Sequence, residues 1–499
     1  MLNDLLKRRY TGLLISLFVL TVVYIPVCYS DYAFLDEAHQ LWNNDNHSNY
    51  SMFLVQGRWL SGVLFDKVFS SVNTIADLKY IRVFSFLSWG LFLLFYFRFC
   101  KKWRTLFEMD NLLLVTMGAY IACSLSVAVY VGWASCFQCG IANLLGLCSG
   151  HMMFTELINK NRSKAFSIVL ICLSGVMGIA SLFLYQTAFG TFLIPFVLYF
   201  ISKGLFVSKR LVLIGLSAYL LISVIYYKLF LISIQISGVT ASARTTFSNN
   251  IADKLGFFFG YPFAQAYSLN FLYNTHSVLS QLFPFVMIAL WLFIYFRSSK
   301  EKAIRKILFI VGFIVIGIFI YLPLLVANEN FSSYRTMFAL NLAASFLVIH
   351  SVMSILKSER TKAFFTILLI AGFTIVALWN FRLNYLIPLK FEYKSISSNF
   401  DRAYHSSIDS VCFLAPPENG FYKSFGVKVY KDEFGLPSTY KDWTPSPLIK
   451  QLIYEKSNNR QLAKAIEVMI FTDSLKFADL RSQNPNRILF FNITELLKN

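Results

Sequence analysis

Charge is what this sequence lacks most: only 14% of its 499 residues are Asp, Glu, Lys or Arg, against roughly 25% in a soluble domain. A chain so short of charge cannot cover a wet surface of its own size, which excludes an ordinary soluble enzyme. A disulfide framework is also missing, because the eight cysteines are scattered, mostly inside apolar runs. Cys136-Phe137-Gln138-Cys139 has neither the second thiol pair nor the nearby histidines of a zinc site, so no metal is expected. No Walker loop or dinucleotide fingerprint occurs, which argues against an ATP-driven pump, and no repeat of solenoid or propeller period is found. The first apolar run ends Ile25-Pro26-Val27-Cys28-Tyr29-Ser30 without a small-residue cleavage site, so it reads as a retained helix and not a signal peptide.

What the chain has in excess is apolar length. Hydrophobic residues make up 57% of it and aromatics 17%, and many runs reach the ~20 residues that cross a bilayer as a helix. The expectation is an all-α polytopic membrane protein of eleven spans. These are Thr11–Ser30, Val83–Phe97, Asn111–Trp133, Phe137–Leu157, Phe166–Tyr185, Thr187–Ile201, Leu211–Ile232, Val278–Phe296, Ile307–Ala327, Thr336–Leu356 and Ala363–Trp379. The net charge of +19 would suggest nucleic acid in a soluble chain. Here nearly half of the Lys and Arg residues fall in six short segments on one side of the spans, from Lys7-Arg8-Arg9 through Lys160 and Lys300 to Lys362. The positive-inside rule accounts for them, and no nucleic-acid partner is expected. It puts the N-terminus in the cytoplasm and the first polar loop, residues 31–82, outside. Residues 1–383 form the membrane domain. From residue 384 to 499 the composition turns ordinary, and a small extracytoplasmic α/β domain is expected. Its strands are Val411–Ala415, Gly426–Tyr430, Val468–Thr472 and Ile488–Phe491, and its helices lie near Ser446–Ser457 and Gln461–Glu467.

Chemistry-bearing residues collect on the outer face, where charge is rarest. Asp36-Glu37 follow the first span within Tyr32, Phe34, Leu35 and Trp42. They read either as acids at the N-terminus of an interfacial helix, where the dipole favours them, or as a general base with a helper held at the membrane surface. Arg58, behind the flexible Gly57, is either a bidentate phosphate ligand or one half of an ion pair with Asp36, Asp45 or Asp66. Arg82 and Arg335 each open a span from the outer side, which breaks the charge pattern. Something should offset a charge there, a lipid phosphate or a carboxylate from the first loop; for both the choice is between a substrate phosphate and interfacial anchoring or snorkelling. Tyr185-Gln186-Thr187 interrupts an apolar stretch, either to satisfy a tight turn or to place Gln186 and Tyr185 against a ligand.

On these residues the chain resembles the GT-C glycosyltransferases, multi-span enzymes that use polyprenyl-phosphate sugars and carry an acidic pair in the first outer loop. More narrowly it is similar to the Gtr-type glucosyltransferases that decorate bacterial O-antigen, with Asp36-Glu37, Gly57-Arg58, Tyr185-Gln186 and Arg335 matching in position and type. Glu37 stands where that narrower group usually has Asp, and Trp59 where it more often has Pro. The likeness implies inverting transfer of a hexose, glucose in the narrower group, to a surface glycan at the outer face of a bacterial inner membrane. Asp36 would be the base and Glu37 its helper, and Arg58 and Arg335, with Arg82, would hold the leaving phosphate. No cofactor or metal is implied. The partners implied are the lipid-linked donor, the glycan acceptor, membrane lipid, and a donor-synthesising transferase and flippase of the same pathway. An O-antigen polymerase and a lipid-linked sugar transporter are the rival expectations. Transporters place ionisable groups near the bilayer midplane, and here the middles of the spans are nearly free of them.

Overall fold

The structure, a computed structural model, describes residues 10–44, 48–159, 162–274, 277–299, 301–431, 433–483 and 487–497. Lys7, Arg8, Arg9, Asp45, Lys160 and Lys300, all used in the sequence reading, lie outside the described residues. Among those described, nine helices are long and apolar enough to cross a membrane, and a bent pair, Asn111–Ala122 and Leu125–Gly132, makes a tenth at an angle of 42°. The bend is specified locally, because Ser124 leaves the first helix in extended conformation and caps the second through Val127 N–H.

Eleven spans were expected, and the difference arises mainly at one residue. Gln186–Ser237 is continuous over 52 residues, about 78 Å if fully α-helical, far beyond one crossing of a ~30 Å core. Gly204 interrupts it in the left-handed region, φ 71° and ψ 170°, a conformation that a Cβ resists. The two arms coincide with the expected spans Thr187–Ile201 and Leu211–Ile232. The first eight residues of the first arm are 3-10 helix.

Phe338–Ile355 is the central helix, 72% buried, and Val278–Ser298 is peripheral, 17% buried. The peripheral helix exposes Val278, Leu279, Leu282, Phe285, Val286 and Phe293, the unbroken apolar face of a helix whose surroundings are lipid. The last apolar helix does not end where the soluble segment was expected to begin. From Glu359 it runs unbroken to Ala403, through a π-helical stretch at Trp379–Leu386 that buries Phe381 and Tyr385, so the expected boundary between residues 383 and 384 falls inside a helix.

Beyond it, β1 (Ser410–Leu414), β2 (Glu467–Phe471) and β3 (Ile488–Asn492) form a parallel sheet in the order β2-β1-β3. Side chains alternate across the sheet, as strand periodicity requires. Val411, Phe413, Leu489 and Phe491 join the core of the helical body, and Cys412 and Leu414 pack with Phe477 on the other face. Helices Pro445–Ser457 and Arg460–Ala465 stand where they were expected. The expected strand Gly426–Tyr430 does not form. Gly426 ends a short helix at φ 65°, and Lys431 and Gly435 also have positive φ, so that stretch turns on itself with a single bridge between Tyr430 and Phe434.

Candidate functional site

The first polar loop folds as short helices above the spans. One of them, Asp36–Trp42, starts on the acid pair. Successive residues of a helix project about 100° apart, and that rotation separates the two carboxylates. Glu37 turns inward and is fully buried. It accepts from the Phe34 amide at 2.8 Å, from Arg82 Nη2 at 2.5 Å and from the Ala134 amide. Arg82, equally buried, also donates to the Tyr32 carbonyl at 2.9 Å and lies 3.6 Å over the Tyr32 ring. This pair ties the loop to the spans. Neither member lines the cavity described below, so the roles of helper and phosphate ligand expected of Glu37 and Arg82 are corrected to anchoring.

Asp36 turns the other way and lines a cavity of about 830 Å³, within the size range of small-ligand sites. The residue before it, Leu35, sits at φ 45° and ψ −113°, a backbone conformation that costs a branched side chain about 1–3 kcal/mol and persists only where neighbours enforce it. The enforcing contact is the Leu35 amide donating to Ser438 Oγ at 2.8 Å. One Asp36 oxygen, Oδ1, accepts from the indole of Trp443 at 3.0 Å.

Arg58 and Arg335 line the same cavity, together with Tyr185 and Gln186. Gly57, at φ 74°, turns the chain so closely that an added Cβ would lie 2.6 Å from the Tyr226 hydroxyl. Gln186 locks this turn by donating to the Gln56 carbonyl at 2.8 Å and to Tyr226 Oη at 3.0 Å, and by accepting from Arg58 Nε at 2.6 Å. It therefore joins two segments far apart in sequence and does not merely satisfy its own turn. The Arg58 guanidinium lies 4.7 Å over the Tyr185 ring, and among the described residues no carboxylate is within 4.0 Å of it. The ion-pair alternative is not realised with Asp36 or Asp66, and Asp45 lies outside the described residues. With Nε engaged by Gln186, the two Nη atoms keep their donors for a ligand.

Arg335 lies between the rings of Trp133 at 4.6 Å and Phe331 at 5.5 Å. Glu433, fully buried, accepts from the amides of Tyr334 at 2.6 Å and Arg335 at 3.2 Å, and its Oε1 is 3.6 Å from Arg335 Nε. Burial pushes the Glu433 carboxyl up, against the pull of Arg335 and the two amides.

Polar residues of the cavity wall that were not singled out from the sequence include His39, Gln40, Ser135, Gln138, Lys441 and Trp443. His39 could have been found, since it lies three residues after Asp36 on the same helix and so on the same face. Burial pulls its imidazole below its ordinary value, with Asp36 opposing. Gln40, four residues after Asp36, shares that face by the same rule, and the remaining four carry no sequence signal linking them to Asp36. Of the cysteine pair, Cys136 lines the cavity and Cys139 is buried behind it.

The cavity wall combines charged and apolar side chains. Asp36, Arg58, Arg335 and Lys441 supply charge, with an Arg244–Glu329 pair (3.2 Å) also in the wall. The apolar part is made by the second arm of the long helix (Leu220, Val224, Tyr227, Phe230) and by Phe247, Leu324 and Val326. Val224 and Phe247 are 55% and 52% exposed, so the apolar part of this wall is not closed over by protein among the described residues. No family model, curated protein or solved structure matches the chain.

Proposed function

We propose that this protein is an inverting glycosyltransferase that moves a hexose from a polyprenyl-phosphate donor to a glycan acceptor at the outer face of a bacterial inner membrane. One observation carries the reading. A carboxylate and two guanidinium groups, Asp36 and Arg58 from the first polar loop and Arg335 from a segment far along the chain, line one cavity whose wall also includes apolar side chains of a membrane-length helix. A phosphate with a sugar on one side and a long hydrocarbon on the other has both the charged and the apolar surface that this wall can meet. The chain would enter over Val224 and Phe247, the phosphate would lie between Arg58 and Arg335, and the sugar would face Asp36.

In the reaction, Asp36 takes the proton of an acceptor hydroxyl as its oxygen attacks the anomeric carbon. The bond from that carbon to the phosphate oxygen breaks on the opposite face, and polyprenyl phosphate leaves with the electron pair. The guanidinium groups of Arg58 and Arg335 meet the charge that develops on the leaving oxygen, as preorganised cations do in a water-poor site. Arg58, with both Nη atoms unengaged among the described residues, suits a bidentate grip on phosphate oxygens.

This reading includes membership of the GT-C group, glucose as the hexose, a surface glycan such as O-antigen as acceptor, eleven crossings with the two arms of the long helix counted apart, and a cytoplasmic N-terminus. The rival transporter reading is less well supported, because Asp36, Arg58 and Arg335 belong to segments between the apolar helices and Lys441 to the segment after the last of them. The test is transfer by the purified protein in nanodiscs, supplied with a polyprenyl-phosphate glucose donor and scored for released polyprenyl phosphate and glycosylated acceptor. Donor that binds but is neither cleaved nor transferred, while it exchanges between leaflets of proteoliposomes, would establish the transporter instead.

A further inference from the structure

The segment from Glu433 to Trp443 lies across the cavity, and buried contacts hold it along its length. Glu433 holds the backbone of Tyr334 and Arg335. The Gly435 amide donates to the Asn384 carbonyl at 2.9 Å. Glu392, a buried carboxylate on the long final helix, accepts from the amides of Ser438 at 2.8 Å and Thr439 at 3.0 Å and from the Thr439 hydroxyl at 2.6 Å. Ser438 in turn holds the strained Leu35. After this the strap becomes exposed and ends in Lys441 and Trp443, both in the cavity wall. Trp443 is 47% exposed, although burying an indole is favourable. Its N–H is committed to Asp36 and the Lys441 ammonium lies 5.6 Å over the ring, so the apolar surface still open is the face opposite Lys441.

We infer that Trp443 has two tasks in the reaction proposed above: it positions Asp36, and its open face is the platform on which the acceptor sugar ring stacks. An indole N–H lies in the plane of its ring, so the Asp36 carboxylate sits at the ring's edge. Oδ1 is taken by the N–H, which leaves Oδ2 as the oxygen free to accept a proton. A pyranose stacked on the indole face has its equatorial hydroxyls pointing outward along that plane, and those at the Asp36 edge come beside Oδ2. The apolar C–H face of a sugar ring is complementary to an aromatic face, and the face of Trp443 away from Lys441 is the one it takes. The site therefore takes a carbohydrate by one face, with the hydroxyl to be glycosylated at the edge.

This inference rests on Asp36 being the base, and the experiment separates the two. Full-length protein in nanodiscs is assayed with polyprenyl-phosphate glucose, with octyl glucoside below its micelle concentration as acceptor, and with water alone. Trp443→Phe, which keeps a ring and loses the N–H, should lower kcat roughly tenfold in both reactions, the scale of a lost hydrogen bond to a charged group. Its KM for octyl glucoside should stay within about twofold, since the platform remains. Trp443→His, which retains a ring N–H, should recover part of the lost kcat. Trp443→Ala should lose kcat like the Phe variant and also raise the acceptor KM by roughly fivefold or more. Wild-type kcat in Trp443→Phe overturns the positioning role, and equal acceptor KM in the Ala and Phe variants overturns the platform. Should the Ala variant fail to fold, the Phe and His variants still decide the first point, and quenching by octyl glucoside of the fluorescence that wild type has and Trp443→Phe lacks decides the second. If Asp36→Asn retains turnover in the same assay, the base assignment itself fails, whatever the Trp443 variants do.

Discussion

The adjacent acids Asp36 and Glu37 offer the sharpest test, because a one-residue shift should exchange a kinetic defect for a structural one. Asp36→Asn keeps the Oδ1 acceptor for Trp443 and changes no buried pair, so the protein should accumulate and unfold like wild type. It removes the proton acceptor, and the loss of general-base help should slow transfer by about 10²–10⁴. Glu37→Gln has the opposite profile. Three donors converge on Glu37: the Phe34 and Ala134 amides and Arg82 Nη2. An amide offers one acceptor oxygen to that set and turns an NH₂ towards the other donors. It also strands the Arg82 guanidinium, buried with no other carboxylate beside it among the described residues. Breaking a buried pair from one side costs about 3–5 kcal/mol, a large part of the ~5–15 kcal/mol that holds a protein folded. Glu37→Gln should therefore express poorly and unfold at a markedly lower temperature, and the fraction that folds should transfer sugar within a few-fold of wild type. The measurements are thermal unfolding of the purified variants and transfer per folded molecule. A stable but inactive Glu37→Gln protein beside an active Asp36→Asn protein would refute both the geometry and the mechanism drawn from it.

Arg58→Lys should raise the donor KM and lower kcat, because a point charge replaces the planar fork and the Nε bond to Gln186 is lost; wild-type kinetics would remove Arg58 from the phosphate site. Arg335→Lys should do the same with a larger share in kcat, since its packing between Trp133 and Phe331 also goes. Gly57→Ala should destabilise the loop by about 1–2 kcal/mol and weaken donor binding, since its φ is positive and its Cβ meets Tyr226; unchanged donor affinity would mean the turn does not position Arg58. In a cysteine-free background, a cysteine replacing Glu418 should react with an impermeant reagent from outside and one replacing Glu301 should not, and the reverse labelling would invert the proposed orientation.

How much of this was legible in the sequence depends on the range over which each feature is determined. The spans were, because a membrane-length apolar run is a local property, and so was the interruption between Ile201 and Leu211, marked by Lys203, Gly204, Lys209 and Arg210. The continuous helix through residue 403 was not, because Asn384 to Arg402 turn polar without turning non-helical, and polarity was taken for a boundary. Within the site, Asp36, Arg58, Gln186 and Arg335 stood out as polar groups on a face with few of them, and the structure brings all four to one cavity. Arg82 stood out for the same reason and was misplaced: its partner is Glu37, 45 residues earlier, and nothing local separates a cation awaiting a ligand from one already paired. Glu37 was misplaced because adjacency in sequence suggests a common task, whereas adjacency in a helix means a different face. Glu433, Ser438 and Trp443 carried no sign of their role. Each acts on a residue about one hundred to four hundred positions away, and such contacts are set by how the strap docks, which no local pattern records. The misplaced and unseen residues are those whose partners are distant. A base needs only a polar side chain at the right depth, which a short stretch of sequence can show, whereas holding that base in one orientation takes residues from across the fold.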